Sequence, residues 1–148
     1  MGEATVAKRL MKNTMSKGRD SFRILIVDDN KAFLQLVAEL LKSVYDHIHI
    51  ETALSGNECL RKVRNFSPNL VLLDIGMNGM NGLVTLRFIK SINSDTLVYL
   101  LSGLSEEYLK DAMAMVPADG YFTKTDFIDS LQGGNPLPMI AKTISAGE

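Results

Sequence analysis

The sequence predicts an α/β domain in which amphipathic helices connect the strands of a parallel sheet. From Phe22 onward, short apolar runs alternate with stretches whose apolar residues recur at helical spacing, which is typical of successive βαβ units. The chain has 148 residues, of which 46% are hydrophobic, and this suits one domain with a substantial core. We therefore expect a single α/β domain.

Five apolar runs are the predicted strands. They cover roughly residues 23–27, 47–52, 69–73, 96–101 and 120–123. The first and third runs are almost continuously apolar, as is usual for strands buried in a parallel sheet. The first run is therefore expected to be a buried strand.

Helical patterns fall between the strands. They run from Phe33 to Val44, from Cys59 to Phe66, over 82–92 and over 105–115. Ser105 precedes two glutamates and is expected to cap the fourth helix, which Pro117 prevents from running further.

The stretch after Lys124 is interrupted by five residues that break or cap helices: Gly133, Gly134, Asn135, Pro136 and Pro138. This composition allows either a short turn at 126–131 or a helix that restarts near residue 136. We favour the restart, with Asn135 as its cap and Pro136 at the first helical position.

Composition excludes several classes of protein. The single cysteine, Cys59, excludes an internal disulfide and a cysteine-based zinc site. No stretch approaches about 18 consecutive apolar residues, so no membrane span is predicted. The N-terminal apolar positions are interrupted by Lys8, Arg9 and Lys12 and therefore form no signal core. These features predict a cytoplasmic protein.

Basic residues are concentrated near the N-terminus. The first 20 positions carry five bases against two acids in a chain of net charge −1, so the remainder sums to −4. Residues 1–21 are therefore interpreted as a basic extension, which is either a flexible, solvated segment or one that docks on an acidic surface. The acidic body argues against nucleic acid as a partner.

Carboxylates follow two of the predicted strands. Asp28 and Asp29 come directly after the first apolar run, and Asp74 ends the third. Open α/β sheets bind ligands beyond the carboxyl ends of their strands, so adjacent parallel strands would bring these side chains together. Such a cluster repels itself unless a hard cation neutralises it, and Mg²⁺ is the cation we expect. The alternative is that Asp28 and Asp29 cap the helix that begins after Asn30.

Two further strand ends carry groups that suit a phosphoryl group. Ser102 and Gly103 follow the fourth apolar run, and Lys124 follows the fifth. A metal ion and a lysine neutralise phosphoryl oxygens, a hydroxyl donates a hydrogen bond, and a carboxylate attacks. The set of strand ends therefore predicts phosphoryl transfer.

In motif order and spacing, the chain resembles the receiver domain of two-component response regulators over about residues 22–132. The resemblance implies a doubly wound, five-stranded parallel sheet of flavodoxin-like order 2-1-3-4-5 with helices on both faces. It also implies a domain core at 22–132, which leaves 133–148 as a C-terminal segment interrupted by glycine and proline.

The resemblance further implies a role for each acidic residue. Asp28 and Asp29 would hold Mg²⁺, and Asp74 would accept a phosphoryl group from a histidine kinase or a histidine phosphotransfer protein. Asp74 would also contact the metal, and the backbone carbonyl of Gly76 would supply a further ligand.

Three more residues match the family pattern. Ser102 would be the hydroxyl that contacts the phosphoryl group, and Lys124 the lysine that contacts it. Tyr121, three residues earlier, would be the aromatic residue that turns inward on phosphorylation. The face from Glu106 to Met139, formed by the fourth helix, the fifth strand and the last helix, would then contact a downstream partner or a second copy of the chain.

Two positions depart from the family pattern. Asn78 and Thr125 stand where receivers usually have proline, and the peptide bond before the second proline is commonly cis. A cis bond before threonine costs roughly 2.5–4 kcal/mol, so either the bond is trans and Lys124 is approached differently, or the fold supports the strain.

The departures keep a second function open, namely a receiver-like interaction module that acts without phosphorylation. A third class, an aspartate-dependent phosphohydrolase, is disfavoured because such enzymes carry Asp-x-Asp on the first strand and a cap segment. About 16 residues follow position 132, too few for another domain, so the chain is expected to be either a stand-alone receiver or a fragment of a longer regulator. The expected activity is self-phosphorylation and self-dephosphorylation rather than turnover of an external substrate.

Overall fold

The computed structural model describes residues 22–77, 81–104, 106–115, 117–134 and Leu137. Five strands form one sheet: β1 (Phe22–Val27), β2 (Ile48–Ala53), β3 (Leu70–Asp74), β4 (Leu97–Ser102) and β5 (Gly120–Thr123). Their order is β2-β1-β3-β4-β5, and every neighbouring pair is parallel. The predicted strand order 2-1-3-4-5 is confirmed.

Within the described part of the chain, a helix follows each strand: α1 (Lys31–Val44), α2 (Gly56–Phe66), α3 (Gly82–Ile92), α4 (Glu106–Met113) and α5 (Lys124–Gln132). Successive residues of a strand point to opposite faces of the sheet. Ile24 and Ile26 accordingly pack with buried residues of α1 and α5, whereas Leu25 and Val27 pack with those of α2, α3 and α4. The sheet is therefore covered by helices on both faces, as predicted.

The central strands bury both faces. Every residue of β3 is buried, and so are the last four residues of β1. The polar groups that follow β1 and β3 are thus held on a rigid, buried support.

At the edge of the sheet, β2 begins at Ile48 rather than at His47. His47 has a φ of 60°, in the left-handed region, and this conformation does not continue a strand.

The last helix differs from the prediction. The chain enters α5 at Lys124, directly after β5, where the sequence predicted no more than a short turn at 126–131. The favoured restart near residue 136 lies outside the described residues. The Thr123 side chain accepts a hydrogen bond from the Asp126 N–H (3.1 Å), and Phe127 and Leu131 are buried against the core. A local cap and two tertiary contacts therefore support the helix up to the glycines. The proposed cap Asn135 and Pro136 lie outside the described residues.

The chain beyond α5 returns to the end of α1. The Leu137 N–H donates a hydrogen bond to the Tyr45 hydroxyl (2.6 Å), and both residues are buried. Tyr45 is also the C-cap of α1. This contact holds Leu137 at the end of α1 that lies far from the carboxyl ends of the strands.

The other helix boundaries agree closely with the prediction. The fourth helix begins at Glu106 and ends at Met113, two residues earlier than predicted, while its expected cap Ser105 lies outside the described residues. None of the helices described is both long enough and apolar enough to cross a bilayer.

Gly82 allows α3 to begin directly against the end of β3. A Cβ atom on Gly82 would lie 2.5 Å from the Ile75 Cα and 2.7 Å from the Asp74 carbonyl oxygen. Both neighbours are backbone atoms, so rotation of a side chain cannot relieve the clash. Glycine is therefore required here by close approach of two backbones.

We expect Gly82→Ala to lower the free energy of unfolding by about 1–3 kcal/mol, because the added methyl group forces the two backbones apart. Gly103→Ala is the matched control, since a Cβ atom on Gly103 meets nothing within 4 Å. Urea unfolding of both variants beside the wild-type protein measures the difference. If the two variants prove equally stable, the close approach at Gly82 is refuted.

Candidate functional site

Three carboxylates meet at the carboxyl ends of β1 and β3. Asp28 and Asp29 follow β1, and Asp74 is the last residue of β3. One oxygen from each lies within 4.8 Å of the others. Asp28 and Asp74 are buried, with 1% and 5% of their surface exposed, whereas Asp29 is exposed. The predicted cluster therefore forms because β1 and β3 are neighbours in the sheet.

Backbone amides hold one oxygen of each buried carboxylate. Asp28 Oδ1 accepts a hydrogen bond from the Asn30 N–H (2.9 Å), and Asp74 Oδ1 accepts one from the Gly76 N–H (3.1 Å). The Asp28 N–H donates to the carbonyl of Ala53 on β2 (3.0 Å), which fixes the backbone beside the site. Each carboxylate is therefore oriented by the loop that follows its own strand.

Lys124 reaches the cluster from the first turn of α5. Its Nζ atom lies 2.6 Å from Asp28 Oδ2 and 3.8 Å from Asp74 Oδ2. Asp28 Oδ2 is buried and, among the described residues, receives no hydrogen bond of good geometry, so its contact with Lys124 is an ion pair at close range. The structure therefore brings Lys124 to the two buried carboxylates.

The described residues contain no cis peptide bond, so the bond between Lys124 and Thr125 is trans. The sequence left open a strained cis bond before Thr125 or a trans bond with a different approach of Lys124. The structure has the trans bond. Thr123 caps α5, and Lys124 extends its side chain from the start of that helix. Threonine in place of proline does not prevent the lysine from reaching the carboxylates.

Burial raises the pKa of Asp74 above its ordinary value. The Gly76 N–H lowers this pKa, the charge of Asp28 raises it, Lys124 lowers it, and Asp29 raises it further. Removal from water and repulsion by the neighbouring carboxylates therefore outweigh the hydrogen bond and the lysine. The ionised Asp74 is the strained member of the cluster.

Ser102 lies at the end of the strand next to Asp74. In the register of β3 and β4, Asp74 pairs with Leu101, so Ser102 is one residue further along. Ser102 is buried, and its hydroxyl oxygen accepts a hydrogen bond from the Leu104 N–H (2.9 Å). Tyr121 lies on β5, half-buried against the core cluster beneath α2, α3 and α4. Asn78 lies outside the described residues.

One residue near the site was not predicted from the sequence. The ring of Phe33, on the first turn of α1, has its centroid 4.5 Å from Lys124 Nζ. Helical spacing assigned Phe33 to the apolar face of α1, and its position shortly after the acidic pair was the signal that it also lies beside the site.

A family model for the response regulator receiver domain matches residues 24–132. The chain belongs to this family. The receiver domain shares 30% identity over 109 residues with a protein-glutamate methylesterase/protein-glutamine glutaminase of Clostridium acetobutylicum, a match that covers 74% of this chain and 30% of the relative. Protein PilG of Pseudomonas aeruginosa is 29% identical over 121 residues, which cover 80% of this chain and 88% of PilG.

Solved structures agree with this assignment. The N-terminal domain of a response regulator/sensory box/GGDEF 3-domain protein from Carboxydothermus hydrogenoformans is 28% identical and superposes with a TM-score of 0.68, covering 84% of this chain and 98% of that one. Four methylesterase relatives are much longer, and the matched part of this chain spans only 24–33% of their length. The similarity to them therefore concerns the receiver domain.

The cluster suits a hard divalent cation. Its donors are carboxylate oxygens, which are the ligands that Mg²⁺ prefers in proteins. Asp28 Oδ2 is buried and forms an ion pair with Lys124 but receives no hydrogen bond of good geometry among the described residues, so it can also bind a cation. The residues present therefore fit the cation that the sequence predicts.

We expect Asp74→Asn to raise the free energy of unfolding of the receiver domain near pH 7. The pKa of Asp74 is higher in the folded protein than in the unfolded chain, so stability is lost as the pH rises and this carboxyl ionises. Asparagine carries no charge and avoids that loss. The gain should disappear below 3.8, the ordinary pKa of aspartate, where Asp74 is protonated in both states.

Urea unfolding as a function of pH, in metal-free buffer, measures this gain. Asp95→Asn is the matched control, because Asp95 is an exposed aspartate in the turn between α3 and β4. A stability difference for Asp74→Asn that does not depend on pH, or a less stable Asn variant, would show that the cluster is not under electrostatic strain.

Proposed function

We propose that this receiver domain accepts a phosphoryl group on Asp74, with Mg²⁺ held by the carboxylate cluster, and that phosphorylation switches a partner-binding face. One observation carries the proposal: a strained, buried Asp74 lies beside Asp28, Asp29 and the ammonium group of Lys124. Carboxylates, a cation and a hydroxyl at neighbouring strand ends are the parts that phosphoryl transfer needs.

The transfer converts the Asp74 carboxylate into an acyl phosphate. One carboxylate oxygen attacks the phosphorus of a phosphohistidine or of a small acyl phosphate, and the bond from phosphorus to the donor breaks. The donor leaves with that electron pair: a histidine imidazole takes a proton from solvent, whereas a small acyl group leaves as its carboxylate. Hydrolysis by water later releases inorganic phosphate and restores Asp74. Asp74 is therefore phosphorylated and restored in each signalling cycle, and the domain does not turn over an external substrate.

Asp28, Asp29, Asp74 and the carbonyl of Gly76 would hold the cation. When bound, Mg²⁺ supplies positive charge that offsets the charge developing on the phosphoryl oxygens. It also offsets repulsion between the attacking carboxylate and an anionic donor. One oxygen from each of the three carboxylates lies within 4.8 Å of the others, which supports their role as ligands of one ion.

Lys124 and Ser102 would recognise the phosphoryl group after transfer. The ammonium group of Lys124 lies 3.8 Å from the Asp74 carboxylate, close enough to pair with a phosphoryl oxygen attached there. The Ser102 hydroxyl oxygen accepts a hydrogen bond from a backbone N–H, and its own proton is left to donate. The expected consequence is that the end of β4 is drawn toward the new charge.

Tyr121 would transmit this movement to the surface. It lies on the edge strand β5, next to β4, where an inward turn of the ring would change the face formed by α4, β5 and α5. That face would contact a downstream protein or a second copy of the chain. The phosphoryl donor would be a histidine kinase or a histidine phosphotransfer protein.

Intact mass after incubation with Mg²⁺ and acetyl phosphate tests the chemistry. We expect one phosphoryl adduct on the wild-type chain, none on Asp74→Ala, and little on Asp28→Asn or when Mg²⁺ is chelated. Asp95→Ala, which removes an exposed aspartate elsewhere, is the matched control and should be phosphorylated normally.

Binding of Mg²⁺ is measured separately from transfer. At ten times its dissociation constant, a cation that binds only the folded state raises the free energy of unfolding by about 1.4 kcal/mol. We expect this stabilisation in the wild-type domain and a much smaller one in Asp28→Asn. Absence of both the adduct and the stabilisation would favour the interaction module that acts without phosphorylation.

The partner face is tested by reversing charges on its exposed residues. Lys110 on α4 and Asp129 on α5 are exposed. We expect Lys110→Glu and Asp129→Lys to weaken a phosphorylation-dependent complex or dimer, measured by size-exclusion chromatography with light scattering. Phosphorylation of Asp74 should be unaffected. Normal association of both variants with every partner would rule out this face.

A further inference from the structure

The ammonium group of Lys124 lies over an aromatic ring as well as beside a carboxylate. Its Nζ atom is 4.5 Å from the centroid of Phe33, within the roughly 6 Å over which a cation is attracted to a ring face. Phe33 and Lys124 come from the first turns of α1 and α5, two helices that share one face of the sheet. The contact therefore bridges two elements that border the site.

The ring of Phe33 is held in place from two sides. The Phe33 N–H donates to the Asn30 side chain (3.1 Å), which caps α1 and fixes its first turn. The side chain is half-buried and packs against the core cluster beneath α1 and α5. A rigid ring at this position offers a fixed surface to a flexible lysine.

Lys124 needs such a surface because its side chain is long and mobile. A lysine has a flexible four-carbon stem and a point charge without a preferred direction. Here about a quarter of the side chain is exposed (23%), and its close ionic contact is with Asp28 rather than with Asp74. If Asp28 binds a cation, that ion pair is weakened and the ammonium group needs another partner.

An aromatic ring suits this purpose better than a second carboxylate. The ring attracts the ammonium group through its negative face but offers no oxygen to Mg²⁺ and no site for a proton. It therefore restrains Lys124 without competing for the metal and without neutralising the charge that a phosphoryl group would meet.

We propose that Phe33 is a positioning residue for Lys124, holding its ammonium group beside the phosphoryl site through a cation–π contact. The proposal deepens the phosphoryl-transfer function proposed above and rests on it. Phe33 itself touches no reacting atom, and it acts only through the lysine.

A double-mutant cycle tests the coupling. Phe33→Leu keeps an apolar side chain but removes the ring, Phe33→Tyr keeps the ring, and Lys124→Met removes the charge but keeps a stem. We expect Phe33→Leu to slow phosphorylation by acetyl phosphate about threefold, and Phe33→Tyr to leave the rate nearly unchanged. In the Lys124→Met background, Phe33→Leu should have no further effect. Equal slowing in both backgrounds, or none in either, would overturn the proposal.

A spectroscopic measurement in metal-free protein is independent of activity. Protons beside the Lys124 ammonium group, lying over the ring face, should resonate upfield in the wild type and in Phe33→Tyr, and return to ordinary lysine positions in Phe33→Leu. An unshifted lysine in the wild type would refute the contact. If the wild type shows the shift but accepts no phosphoryl group, the function proposed above fails while the ring contact stands.

Discussion

Repulsion among carboxylates at the ends of β1 and β3 is the constraint on which the rest of the site depends. The sheet order makes these strands neighbours, and both are buried, so Asp28 and Asp74 cannot disperse their charge into water. Two backbone N–H groups and one lysine offset the charge within the described residues. Their combined effect is incomplete, because the pKa of Asp74 remains raised. An unfavourable negative charge held in a rigid frame is what a bound cation would relieve.

The acidic cluster could be predicted from the sequence because its signals are local. The apolar runs of β1 and β3 each end in aspartate, and strands of parallel sheets present their carboxyl ends at one edge. That β1 and β3 are neighbours did not follow from the residues themselves and came from the resemblance to receivers. The end of β5 indicated Lys124 in the same way. How its side chain reaches the site depended on whether the bond between Lys124 and Thr125 is cis or trans, which the sequence left open.

Two features could not be predicted because they depend on contacts between distant segments. The composition after residue 124 disfavoured an immediate helix, yet burial of Phe127 and Leu131 against α1 stabilises one. Tertiary packing here outweighs local propensity. Phe33 shows the same limit, since helical spacing identified an apolar face but could not show that a lysine more than 90 residues away lies over the ring.

The hydrogen bond between Leu137 and Tyr45 has a mechanical consequence for α5. This helix begins at the site with Lys124, and Leu137, beyond its other end, is hydrogen-bonded to Tyr45 at the C-terminal end of α1. A rod anchored at its far end responds to a pull at its near end by tilting about the anchor, since sliding along its axis would break the tie. A small displacement of Lys124 would therefore tilt the whole helix, with the largest displacement at the end nearest the carboxylates.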